Sequence, residues 1–154
     1  MDVANVMGSR PDGWWRDRAG AAVRLYGEIA RLAASGRVVL PGAAEPADHA
    51  EFVLVLEGAA KTAAARIRAA QDAAAGQDAA AAEDRQDAED AKAGRLRVVE
   101  APGSGDDTIV ALVRDLNTLR AVVVVTADRE LGDRCRAAGA TVLGPGWLLR
   151  LLGP

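Results

Sequence analysis

Apolar and polar positions along this chain of 154 residues follow two different periods. Phe52-Val53-Leu54-Val55-Leu56 is apolar at every position, as a strand covered on both faces of a parallel sheet requires. Ala121 to Thr126, with four consecutive valines, is the clearest strand in the chain. Leu96-Arg97-Val98-Val99-Glu100 and Ala140-Thr141-Val142-Leu143 read as two more. Between these runs the spacing becomes helical. Val23, Tyr26, Ile29, Ala30 and Leu32 mark a helix over 15–34, closed by Ser35-Gly36, and a second runs from Ala59 to about Ala70. Ile109, Val110, Leu112, Val113 and Leu116 mark a third over 106–116, with Ser104 placed to cap it. A fourth begins at Asp128 and closes at Gly139, and a short apolar one covers 147–152. Met1 to Val6 reads as the end of a strand, followed by the turn-forming stretch Gly8-Ser9-Arg10-Pro11-Asp12-Gly13. Residues 37–40 are compatible with one extra strand, stopped by Pro41-Gly42.

Strands that alternate with helices imply right-handed βαβ crossovers, hence an α/β fold: a three-layer α/β/α Rossmann-like parallel sheet in a single domain over 1–154. The first strand has only Met1 before Asp2, so it is expected to continue upstream and to lie in the middle of the sheet. Residues 71–93 contain Ala, Asp, Gln and Glu and no large apolar side chain, so they read as an acidic low-complexity insertion within the domain.

Charge changes the picture only after that insertion is set apart. It holds seven acids and two bases, a net −5 against −3 for the whole chain, so the remainder is at +2. A slightly basic body is compatible with a nucleic-acid partner without demanding one. Aromatic residues are only 3%, so the core must be built from Ala, Val and Leu. The lone Cys135 excludes an internal disulfide, and with the lone His49 it makes a poor start for a zinc site. No apolar run reaches the roughly 20 residues of a membrane span, and the N-terminus lacks a signal pattern, so a cytoplasmic protein with no membrane partner is expected.

Open parallel sheets bind ligands beyond the carboxyl ends of their strands. Acids gather there in this sequence: Asp2 with Asn5 after it, Glu57, the pair Asp106-Asp107, and Asp128 just after Thr126. Crowded carboxylates repel one another unless a cation compensates, and hard oxygen ligands without His or Cys point to Mg²⁺ or Mn²⁺. Such an ion can activate water against a phosphodiester, alone or as one of two. Each acid also has a plainer role open to it: Asp106 and Asp107 in the first turn of a helix favour its dipole, and Asp128 suits an N-cap. Glu130 and Asp133 fit a solvated helix face, with Asp133 or Glu57 as rim residues of a metal shell. Trp14-Trp15-Arg16-Asp17-Arg18 places aromatics beside arginines, as base stacking on single-stranded RNA requires; cover for the sheet end is the alternative. Trp147 reads as core.

These segments resemble those of NYN/PIN-like ribonucleases. Asp2-Val-Ala-Asn5-Val6 is similar to that family's D-G-x-N-V opening, with Val3 where Gly is usual; Gly105-Asp106-Asp107 resembles its second acidic motif, and Thr126-Ala-Asp128-Arg129 its T-S-D motif. Glu57 stands where the family often has Asp. The resemblance implies a PIN-like fold and a metal-dependent endoribonuclease, with Asp2, Asp106 or Asp107, and Asp128 as catalytic metal ligands and Glu57 as a further ligand. It also implies that Asn5 steadies the site; Thr126 and Arg129 of the third motif, and Arg16 beside the tryptophans, are expected to help hold RNA. A homodimer or a regulatory protein partner is compatible with it. Two alternatives stand beside it: a catalytically weak RNA- or partner-binding module of the same fold, and a nucleotide pyrophosphohydrolase, whose Glu-rich helices the chain lacks.

Overall fold

The computed structural model describes residues 1–36, 38–41, 50–69 and 96–153. The acidic stretch 71–93, Arg37 and His49 lie outside the described residues. The architecture is mixed α/β with short parallel strands.

Strand β1 (Phe52–Leu56) pairs in parallel with β2 (Leu96–Glu100), Phe52 opposite Leu96 and Leu56 opposite Glu100. Strand β3 (Val123–Val125) pairs in parallel with β4 (Thr141–Leu143). These are two separate two-stranded sheets, not one continuous sheet. Met1 and Asp2 join them. The Val55 N–H donates to the Met1 carbonyl at 3.1 Å, and the Asp2 N–H donates to the Val125 carbonyl at 3.2 Å. The expected central position of the opening segment is thus observed, but as a two-residue bridge between β1 and β3.

The strand ends at Asp2 because the chain turns at once into helix α1 (Val3–Gly8), whose first turn the Asp2 carboxylate caps by accepting from the Asn5 N–H at 3.1 Å. This corrects the reading of Met1 to Val6 as strand. Val3, Val6 and Met7 are all buried, so a run that looks extended is a short helix with one apolar face. The helix expected over 15–34 is also divided. Gly13 sits at φ 76°, Trp14–Arg16 form a separate 3-10 turn, and helix α2 (Arg18–Ser35) starts only where the Asp17 carboxylate accepts from the Gly20 N–H. Gly36, in the left-handed region at φ 60°, ends it. Val38–Leu40 form no strand; buried Val38 packs as part of the core.

After β1 a 3-10 turn (Gly58–Lys61) leads into helix α3 over 62–69. Helix α4 (Gly105–Leu116) follows β2 under the expected Ser104 cap, α5 (Arg129–Ala137) follows β3 under Asp128, and α6 (Pro145–Leu152) follows β4. Side chains of β1 alternate between two cores, as strand geometry dictates. Phe52, Leu54 and Leu56 join α1, α2, α3 and Leu148 of α6, whereas Val55 joins Ile109, Val110, Val113, Leu131 and Cys135 of α4 and α5. Trp147 packs half-buried against the first core, as expected. Because α1, α4, α5 and α6 each begin just beyond a parallel strand or the Met1–Asp2 bridge, their N-termini share the edge where the acids were anticipated.

Candidate acidic site

Asp2 is the anchor of this edge. Its side chain is 7% exposed and takes three hydrogen bonds: from the Asn5 N–H to Oδ1, from Asn5 Nδ2 to Oδ2 at 2.5 Å, and from the Thr126 hydroxyl to Oδ2 at 3.2 Å. Asn5 works in two directions, because its Oδ1 accepts from the Ala127 N–H at 3.2 Å. Thr126, also buried, accepts from the Asp128 N–H at 3.1 Å. Asp2, Asn5, Thr126 and Asp128 therefore form one network that ties α1 to the turn after β3. Asp128 caps α5, its Oδ1 accepting from the Leu131 N–H at 2.9 Å. Capping and clustering are thus not alternatives here. The same carboxylates, buried Asp2 and exposed Asp128, do both, since a helix N-terminus favours a negative charge.

Glu57 and the Asp106-Asp107 pair complete the edge from the other side. The Glu57 Oε2 accepts from the Gly105 N–H at 2.9 Å, joining the end of β1 to the start of α4 across 48 residues of sequence. Asp106 and Asp107 are about 100° apart around a helix and cannot face the same way. Asp107 turns outward and pairs with Arg134 of α5 at 2.5 Å. Asp106 turns to the cluster. Its carboxyl is pushed above the usual carboxylate range by desolvation first, then by the negative charges of Asp2, Asp128 and Glu57, with Arg134 opposing. The fold has therefore gathered Asp2, Glu57, Asp106 and Asp128 into one electrostatic neighbourhood, and of the Asp106-Asp107 pair it selects Asp106.

One contributor, and the steric role of another, went unnoticed in the sequence. Arg134 moderates the acids from the adjacent helix, and no local pattern flags it. Gly105 matters by what it lacks: a Cβ there would stand 2.5 Å from the Glu57 Oε2. Gly105→Ala is expected to displace the flexible Glu57 side chain, not to unfold the protein. Stability should change by less than about 1 kcal/mol, while the Asp106 carboxyl titrates closer to its ordinary range. An NMR titration of the Asp106 carboxyl in both proteins checks this.

The remaining expected residues lie around this group. Arg129 faces a cavity of about 320 Å³ beside Asp128, also lined by Thr126, Asp133, Arg136 and Gly144. Asp133 is an exposed surface residue paired with Arg136 at 2.7 Å, and Glu130 is exposed. Arg16 is in the 3-10 turn beyond α1 and makes no contact with the acids. Cys135 is fully buried, and burial pushes its thiol up, so it is a packing residue. Another cavity of about 320 Å³, lined mainly by apolar side chains, lies at the opposite end of the strands.

Among the described residues, no three His, Cys, Asp or Glu side chains are arranged as a ready-made metal cage. The donor chemistry nevertheless suits a hard divalent cation. Mg²⁺ commonly keeps several waters and binds through one or two carboxylates. With Asp2 held by three hydrogen bonds and Asp128 by one, Asp106 is the acid whose charge is least compensated. Among the described residues no helix is long and apolar enough to cross a membrane. Comparison with protein-family models, with curated proteins and with solved structures finds no match.

Proposed function

We propose that this chain is a cytoplasmic, three-layer PIN-like nuclease domain that hydrolyses RNA phosphodiester bonds with Mg²⁺ or Mn²⁺. One observation carries the reading: Asp2, Glu57, Asp106 and Asp128, from four separate segments, share one edge, where burial first and then the charges of the other three push the Asp106 carboxyl above the usual carboxylate range. Accumulating negative charge at one edge opposes folding, and a site for a cation is the economical physical reason to keep it. Asp106, with Asp128 and Glu57 beside it, would hold the ion, which when bound supplies charge neutralisation and an acidified water. Asp2 acts mainly as an organiser: it fixes Asn5 and Thr126, and through them the backbone of Ala127 and Asp128. Arg129, beside the cavity next to Asp128, is placed to receive a phosphate of the strand. The saturation of Asp2 by hydrogen bonds favours the second reading, an RNA- or partner-binding module with little catalysis.

Asp106→Asn separates the two. Asp106 titrates above its unfolded value, so its ionised form is disfavoured by the fold, and stability falls as pH rises through that raised value. Neutralising it should therefore raise the melting temperature of the metal-free protein at neutral pH. Mg²⁺ or Mn²⁺ should stabilise the native chain and not the variant. Cleavage of a single-stranded oligoribonucleotide should be abolished by EDTA and fall about 10²–10³-fold in the variant. Asp128→Asn should lose cleavage in the same way. Equal cleavage by native and variant proteins, or none by the native protein with either ion, rejects the nuclease.

A further inference from the structure

We propose that Trp15 is a stacking platform for an unpaired base, so that the strand taken by the acidic edge is single-stranded; the inference rests on the nuclease reading for the identity of the ligand. The two adjacent tryptophans differ in a way their order in the chain does not disclose. Trp14 is half-buried, its ring 3.6 Å from where a Cβ on Gly8 would lie, and the Arg18 guanidinium sits 5.4 Å over it. Trp15 is 58% exposed and meets Trp14 edge-to-face, ring centroids 6.3 Å apart and planes at 86°. Trp14 is thus the bracket and Trp15 the displayed ring.

The segment that carries them is tied down. Arg10 forms a two-pronged ion pair with Glu28 of α2, the Trp14 N–H donates to Asp12, and Asp17 caps α2. A rigid, exposed indole loses little conformational freedom on binding, which is what makes stacking on it favourable. The charge around it suits a polyanion. Arg16 and Arg18 are exposed, and among the described residues neither has a carboxylate partner, whereas Asp12 and Asp17 are both engaged by backbone N–H groups.

The position fits as well. Helix α1 has six residues, with Asp2 at its start and Trp14 against its last residue, so the bracket is one helix length, about 9 Å, from the anchor of the acidic site. With stacked nucleotides advancing about 3.4 Å each, and extended ones more, Trp15 would meet a base only a few nucleotides from the bond placed at the acids.

The test is binding of a short fluorescein-labelled oligouridylate to the full chain in EDTA, where nothing is cleaved, beside a blunt RNA duplex. Trp15→Ala is expected to weaken oligouridylate binding about tenfold, Trp15→Phe to restore most of it, and duplex binding to change little. The intrinsic tryptophan fluorescence of the native chain should be quenched by the oligonucleotide, and much less so in Trp15→Ala. Unchanged affinity in Trp15→Ala, or equal losses for single strand and duplex, overturns the platform even if cleavage is found. Trp15-dependent binding without cleavage in Mg²⁺ or Mn²⁺ keeps the platform and removes the nuclease.

Discussion

Asp2→Ala should destabilise the protein by about 3 kcal/mol and at the same time disorganise the acidic edge. Asp2 is a buried carboxylate that accepts three hydrogen bonds. A hydrogen bond to a charged group contributes about 1.5–3 kcal/mol, and loss of an N-cap costs roughly 0.5–2 kcal/mol. These terms overlap, since the Asn5 N–H bond is the cap, so they do not add. Removal of the carboxylate leaves the buried Thr126 hydroxyl and the Asn5 amide short of an acceptor, which is the more damaging part. One effect opposes the loss: the Asp106 carboxyl is relieved of a negative neighbour and should titrate closer to its ordinary range. Urea unfolding gives the stability change, and an NMR titration of Asp106 gives the electrostatic one. A stability loss below about 1 kcal/mol would mean that the network of Asn5, Thr126 and Asp128 closes without Asp2. Asp2→Asn is a sharper version, because it keeps the volume but turns one acceptor into a donor facing the Asn5 amide.

The elements that periodicity and local chemistry specify were legible. β1, β2 and α4 with its Ser104 cap lie within a residue of where the apolar runs put them, and Asp128 and Gly139 bracket α5 as expected. What the sequence concealed depends on partners far along the chain. Met1 to Val6 reads as strand yet turns into helix after Asp2, because six residues are too few for a helical period to declare itself. The outcome is set by Val53, Val55 and Val125, whose backbone groups bond Met1 and Asp2. The choice between Asp106 and Asp107 was open for the same reason. Both suit the first turn of a helix, and Arg134 on the neighbouring α5 draws Asp107 outward. That four acids share one edge was readable, since each follows a strand. That three of them also receive helix N–H bonds was readable only in part, because the Glu57 bond to Gly105 spans 48 residues.

Placing three β-branched residues ahead of Met1 is expected to stabilise this chain substantially. The apolar cavity of about 320 Å³ at the far end of the strands is lined by Met1, Phe52, Val53, Val123 and Leu148 among others. It lies on the line that a strand running into Met1–Asp2 between β1 and β3 would occupy. Full burial of a Val or Ile side chain contributes roughly 1.5–3 kcal/mol, an upper estimate because unfolded chains already bury some surface. Even half of that over three residues is large against a domain stability of about 5–15 kcal/mol. It should raise the melting temperature by roughly 5–15 °C. A second gain comes from the amine. The Met1 ammonium is buried and donates to the Val53 carbonyl at 2.6 Å, and burial lowers its pKa from 8.0 to about 6. The unfolded chain therefore holds this proton more tightly, and the stability of the unextended protein rises as pH climbs from about 6 to 8. An extension turns the amine into a peptide amide and removes that dependence. The advantage of the extended chain should be greatest below pH 6 and shrink by up to about 3 kcal/mol above pH 8. Melting curves of both chains at the two pH extremes decide the matter. An unchanged midpoint would show that the cavity does not accept a strand, and a pH-independent gain would show that the amine reaches solvent.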